Sequence, residues 1–184
     1  MNKTLTGCAT AMLLACCSNA AFAGYVGIGF GDTAADIASS SGQNINYTST
    51  GMRLVAGNQI SPYLSVEAEY IDLGKFTSDK ASIAAKGLGL SGLLALPMST
   101  SFSLFGKAGL ARIETTATAN PGSVLSAIAS DSRIGLTLSY GVQLDVSPNA
   151  TLRISWDSYK ASALVGPFTD RVDMKSAALL IFKF

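Results

Sequence analysis

The chain has 184 residues, 13 Lys and Arg against 12 Asp and Glu, and no histidine; 48% of it is hydrophobic and 14% charged. Near-neutral charge argues against a nucleic-acid partner, because no basic excess is present to neutralise phosphates. The missing histidine removes the commonest general base of hydrolases and acyltransferases, and the length suits one ordinary domain.

Residues 1–23 have the pattern of a secretory signal peptide. Lys3 is the only charge before Asp32, the apolar stretch "CATAMLLACC" follows it, and "AFA" precedes Gly24. A basic start, a short apolar core and an A-x-A site predict cleavage at Ala21-Phe22-Ala23, with Gly24 as the first mature residue. The apolar core is too short for a spanning helix, which needs roughly 20 residues. A second option is "LLAC", Leu13 to Cys16, which resembles a bacterial lipobox and would leave Cys16 lipidated. Cleavage after Ala23 removes Cys8, Cys16 and Cys17 together, so the mature domain, residues 24–184, has no thiol chemistry. It also removes Lys3, leaving the mature chain formally neutral.

Eight segments of the mature chain alternate with period two, the signature of strands with one apolar and one polar face. Val26, Ile28 and Phe30 alternate with three glycines; Met52, Leu54 and Ala56 alternate with Gly51, Arg53, Val55 and Gly57. Leu64, Val66, Ala68 and Tyr70 alternate with Ser65, Glu67 and Glu69; Leu88 and Leu90 alternate with Gly87, Gly89 and Ser91. Phe102, Leu104, Ala108 and Leu110 alternate with a set containing Phe105, Lys107 and Gly109. From Ile134 to Asp145 every second residue is large and apolar. Leu152, Ile154 and Trp156 alternate with Arg153, Ser155 and Asp157, and the last set is Met174, Ala178, Leu180, Phe182 and Phe184.

The connections alternate in length. "NQISP", "PMST" and "SPN" are short, each with a proline that a central strand would not hold. The others, roughly 32–45, 74–81, 114–132 and 160–170, are longer and rich in small polar residues. An even strand count with short turns at one end and long loops at the other predicts an all-β fold, an eight-stranded antiparallel up-and-down barrel. Arg53, Glu67, Glu69, Lys107, Asp145, Arg153 and Asp157 all share the face of the glycines and serines. A soluble barrel would put the apolar face inside and leave a weakly charged outside. A transmembrane barrel puts it against lipid and the charges in the lumen. The signal peptide and the low charge favour the transmembrane barrel.

On these residues the chain resembles the OmpA-like eight-stranded outer-membrane β-barrels, with the small opacity-type proteins. The resemblance is carried by "YVGIGFG" at the mature start, "LSVEAEYIDLGK", "FSLFGKAGLAR" and the final "IFKF". It implies a Gram-negative outer-membrane location, periplasmic termini, long loops outside, and contact with outer-membrane lipid and lipopolysaccharide. It also implies that a last strand ending Leu180, Phe182, Phe184 is read by the outer-membrane assembly machinery. Longer relatives carry a periplasmic peptidoglycan-binding domain; this sequence stops at Phe184, so cell-wall anchoring is not carried over.

Register predicts two ion-pair layers in the lumen: Arg53 and Lys107 with Glu67, Glu69 and Asp157, then Asp145 with Arg153 near the short-turn end. Eight strands leave an interior that side chains fill. Leu179 and Ile181 break the polar parity of the last strand and are expected inside, beside Gly29 and Gly27, blocking the lower lumen. No catalytic constellation, cofactor site or metal site is indicated. Glu67 and Glu69 share a face as an acid/base pair would, but charge balance assigns them to salt bridges. Asp32 and Asp36, or Asp170 and Asp173, lack a clustered ligand set. The expectation is a structural outer-membrane protein, not an enzyme, whose loops contact surface partners. Val124, Leu125, Ala127 and Ile128 would form a small apolar patch or a short helix there. The alternative is a narrow porin-like channel for ions or small solutes.

Overall fold

A computed structural model describes residues 23–38, 44–77, 81–119, 129–159 and 172–184. Eight strands form one closed antiparallel barrel in chain order: β1 (Ala23–Ala38), β2 (Asn44–Gln59), β3 (Leu64–Thr77), β4 (Ala81–Pro97), β5 (Phe102–Ala119), β6 (Ala129–Ser147), β7 (Ala150–Tyr159) and β8 (Val172–Lys183). β8 closes on β1, with Phe182 opposite Val26 and Leu180 opposite Ile28. Closure leaves no sheet edge, the condition for crossing lipid with strands.

The period-two pattern sorts the side chains as it predicts. Ile134, Tyr140, Leu90 and Leu110 on the outer face are 71, 64, 60 and 57% exposed. Arg53, Glu67, Glu69, Lys107, Arg153 and Asp157 on the inner face are buried. Apolar exposure on all sides of a closed sheet is a surface built for hydrocarbon rather than water.

The strands run further than the alternation indicates. Residues 32–38, 74–77, 114–119 and 129–132, read from sequence as loop, belong to β1, β3, β5 and β6. Asp32 and Asp36 accordingly lie on β1, and Asp173 lies on β8. About 9–11 tilted residues cross a bilayer, whereas β4 has 17 and β6 has 19. The extra length extends past the apolar band, where neither face needs large apolar residues, so "GDTAAD" and "TTATA" show no alternation although they still pair. Val124, Leu125, Ala127, Ile128 and Asp170 lie outside the described residues.

Among the described strands the register shifts at three places; one, between Asp145 and Ser147, adjoins the Pro148 turn, and the other two reset parity along their strands. In β8, Ala178 pairs with Phe30 and Ser176 with Gly31, so Ala177 is an extra residue. Met174, expected beside Leu180 on the lipid face, therefore points inward and is fully buried. In β3, Asp72 pairs with Lys86 and Lys75 with Ala84, setting Leu73 and Gly74 against Ala85. Gly74 adopts φ +82°, a left-handed conformation that glycine enters without a Cβ penalty. Its N–H donates to the Asp72 side chain at 3.0 Å, and the Lys75 N–H donates to Ser49 Oγ at 3.0 Å. Beyond this bulge Phe76 turns into the lumen.

Candidate functional site in the barrel lumen

The inner face carries three stacked zones. Nearest the short turns, Tyr25, Val55, Leu179 and Ile181 form a buried apolar cluster. Ile181 lies opposite Gly27 and Leu179 opposite Gly29, so side chains from β8 fill the space that β1 leaves empty. A Cβ built on Gly27 would sit 3.0 Å from Ile181 Cγ1 and 3.1 Å from the Leu180 carbonyl, which leaves little room for any larger residue.

The middle zone is a network of charges. Glu67 on β3 accepts from Arg153 Nη1 on β7 at 2.6 Å and from the Tyr25 hydroxyl at 2.7 Å. Lys107 on β5 donates to Glu69 at 2.8 Å and lies 3.7 Å from Glu67. Arg53 on β2 holds Asp157 at 2.5 Å, donates to Ser155 Oγ at 2.9 Å and lies 3.9 Å from Glu69. Ser155 in turn donates to Asp157 at 2.7 Å. Arg153 also donates to Gln143 at 3.1 Å, and its guanidinium stands 4.9 Å from the centre of the Phe105 ring. Three cations and three carboxylates thus meet in one layer, connected through Glu67, Glu69 and Lys107. Burying such groups is costly unless each is paired and hydrogen-bonded, and this arrangement pairs them all.

The predicted pairing of Asp145 with Arg153 is not formed. Asp145 sits at the short-turn mouth, 2.7 Å from Lys183 Nζ on β8 and hydrogen-bonded by Thr151. Arg153 points further in. Its pairing with Glu67 balances a layer that Arg53 and Lys107 alone would leave with one carboxylate in excess. A polar vestibule of about 150 Å³ opens at this mouth beside Asp145; Gln59, Ser65, Thr151 and Lys183 line it, and Tyr25, Ile181, Leu93 and Arg153 also border it.

The third zone, towards the long hairpins, is a second apolar cluster: Ile71, Leu73, Phe76, Ala85, Ala111, Ile113, Tyr159 and Met174. Ile71 shares parity with Glu69, and Ala111 and Ile113 share parity with Lys107, so part of the signal was present. Phe76 and Met174 enter through the bulges and could not be read from alternation. The charged layer therefore lies between two apolar plugs, and the lumen is blocked by charged and apolar side chains together.

At the seam, the Phe184 N–H donates to the Gly24 carbonyl at 3.0 Å and the Lys183 N–H to the Asn149 carbonyl at 2.8 Å. Leu180, Phe182 and Phe184 face outward, the last 60% exposed. On the same outer surface the rings of Tyr140 and Trp156 stack with centroids 5.8 Å apart.

Comparison with known proteins places these features in a group. The sequence profile of a family described as OmpA-like transmembrane domain matches residues 19–175. Sequence comparison with curated proteins gives no match. Among solved structures, Neisserial surface protein A aligns with TM-score 0.68 and 19% identity, over 88% of this chain and 97% of that one. The N-terminal β-barrel domain of Pseudomonas aeruginosa OprF aligns with TM-score 0.59 and 13% identity, over 88% and 97%. Yersinia pestis Ail, solved with the heparin analogue sucrose octasulfate, aligns with TM-score 0.57 and 14% identity, over 89% and 99%. At these identities the likeness is one of fold.

Proposed function

The chain belongs to the OmpA-like transmembrane-domain family of Gram-negative outer-membrane barrels, and on that premise we propose a structural and surface-interaction protein rather than a channel. The observation that carries this reading is the lumen. A balanced layer of six buried charges lies between two buried apolar clusters. Fractionation with heat-modifiable gel migration tests it, expecting a folded barrel in the outer membrane; recovery in the soluble periplasm would contradict it.

The finer assignments belong to the same proposal. The termini and short turns face the periplasm and the long hairpins face outward, where they meet surface partners. The assembly machinery reads Leu180, Phe182 and Phe184; their outward alternation at the strand end supports this. The signal peptide, residues 1–23, is cut after Ala23, guided by Ala21, to leave Gly24 first. Mass spectrometry of the mature protein checks that cut, and a lipidated Cys16 would contradict it. Catalysis has no part in the reading. The chain lacks histidine, and Glu67 and Glu69, which share a face as an acid and base would, are both held by cations.

A further inference from the structure

The two halves of the last strand are out of step. In its upper half Val172 pairs with Tyr159 and Ser176 with Ser155, whereas in its lower half Leu179 pairs with Arg153 and Phe182 with Ala150. β1 meets the same offset, with Ser176 on Gly31 and Ala178 on Phe30. The offset decides what fills the lumen. Met174 differs in parity from Leu179 and Ile181, yet Met174 is buried in the upper apolar cluster and the other two in the lower one. One extra residue lets a single strand supply both plugs.

The hydrophobic pattern of β8 does not hold that offset. From Ala177 to Phe182 the sequence reads AALLIF, apolar at every position. Register is weakly specified where both faces have the same character, and a bulge interrupts the ladder. If the upper half simply continued, Leu179 would lie opposite Leu152, Phe182 opposite Tyr25 and Lys183 opposite Gly24. Leu179, Ile181 and Lys183 would then face outward, and Leu180 and Phe182 inward.

Two features oppose that register. The Tyr25 ring lies over Gly57, where a Cβ would collide with it, and its hydroxyl donates to Glu67 at 2.7 Å, so it is held where Phe182 would have to fit. Lys183 Nζ donates to Asp145 at 2.7 Å. Asp145 is fixed in turn, its N–H donating to the Ser101 carbonyl at 2.8 Å and its carboxylate accepting from the Thr151 hydroxyl. The ion pair exists only while Lys183 faces the lumen. The main-chain bonds between Asn149 and the end of β8 carry no such information, because any residue there supplies an N–H and a carbonyl. We propose that Lys183, through Asp145, acts with Tyr25 as a latch that sets the register in which the barrel closes, and so keeps the β8 bulge and both plugs.

Disulfide trapping tests this. Leu152→Cys/Leu180→Cys reports the bulged register and Leu152→Cys/Leu179→Cys the bulge-free one, since only residues opposed on the same face can be bridged. All three native cysteines lie before residue 24, so mass spectrometry of linked peptides assigns each bridge without ambiguity. In the otherwise unchanged chain the 152–180 bridge should form and the 152–179 bridge should not. Lys183→Leu should raise the yield of the 152–179 bridge about tenfold, as the ion pair and the cost of an outward lysine both disappear. Tyr25→Ala/Lys183→Leu should raise it further. Deletion of Ala177 removes the extra residue, so in that double variant it should restore 152–180 as the sole bridge and rescue any loss of heat-modifiable migration. A double variant that bridges only 152–180, a 152–179 bridge in the unchanged chain, or a loss of folding that the Ala177 deletion does not rescue would each overturn the proposal.

Discussion

Arg153 reaches Glu67 across the lumen, with Nη1 2.6 Å from the carboxylate, although the strands that carry them share no edge. β3 pairs with β2 and β4, and β7 with β6 and β8. The contact is therefore a strut through the barrel interior, additional to the hydrogen-bond ladder of the wall. Both side chains are almost completely buried, so their pairing operates in a low-dielectric setting where an unpaired charge is expensive.

Removing one partner should cost most. Glu67→Gln leaves Arg153 without its carboxylate and should destabilise the barrel by about 3 kcal/mol. The double variant Glu67→Gln/Arg153→Met should recover a substantial part of that loss, because no uncompensated charge remains. Equilibrium urea unfolding in lipid vesicles gives both values. A single variant as stable as the parent would show that the strut is not structural.

The pair at the mouth should behave differently. Lys183 and Asp145, at 2.7 Å, are nearly as close as Arg153 and Glu67, but their side chains are 39 and 38% exposed. Water and salt screen such a pair, so Lys183→Ala should cost less than about 1 kcal/mol, and less still at high ionic strength. The same unfolding measurement reads it, and a loss matching that of Glu67→Gln would contradict the distinction.

Gly74 should tolerate substitution poorly. Its φ of +82° disfavours any side chain, and a Cβ there would collide with Ser49 Oγ and the Thr50 carbonyl. Gly74→Ala should cost at least about 1–2 kcal/mol. Gly92, with open space around its Cβ position, is the control, and Gly92→Ala should be nearly neutral. Comparable losses at the two positions in vesicle unfolding would contradict this reading of the bulge.

Much of this was legible in the chain. Strict alternation in segments such as Ile134–Asp145 identified the strands, and one parity collected the buried charges. Alternation could not show Ala177 as an extra residue, because a bulge needs the partner strand to define it. Unbroken alternation therefore sets Met174 on the lipid face, and the bulge turns it inward. The partner of Arg153 was misplaced for another reason. Nearness to the Pro148 turn suggested Asp145, whereas the long side chain reaches inward to the layer that lacked one positive charge. Counting Arg53 and Lys107 against Glu67, Glu69 and Asp157 would have exposed that deficit. The strand extensions leave no alternation in the sequence, because paired strands in water need no apolar face.

Deletion of Phe184 should reduce the folded, membrane-inserted fraction more than deletion of one residue within 120–128. Phe184 donates to Gly24 at the seam and ends the outward series begun at Leu180. Heat-modifiable migration after expression in cells measures the fraction. Equal assembly of the two deletions would contradict the role given to the terminal residues.

The most direct test of the blocked lumen is single-channel recording in planar lipid bilayers. The parent protein should give no stable, regular openings, because two apolar plugs and a balanced charge layer fill the interior. Leu179→Ala/Ile181→Ala, which thins only the lower plug, should remain closed while the upper cluster around Ile71 and Met174 is intact. Regular unitary openings from the parent protein would contradict the account and establish it as a narrow channel.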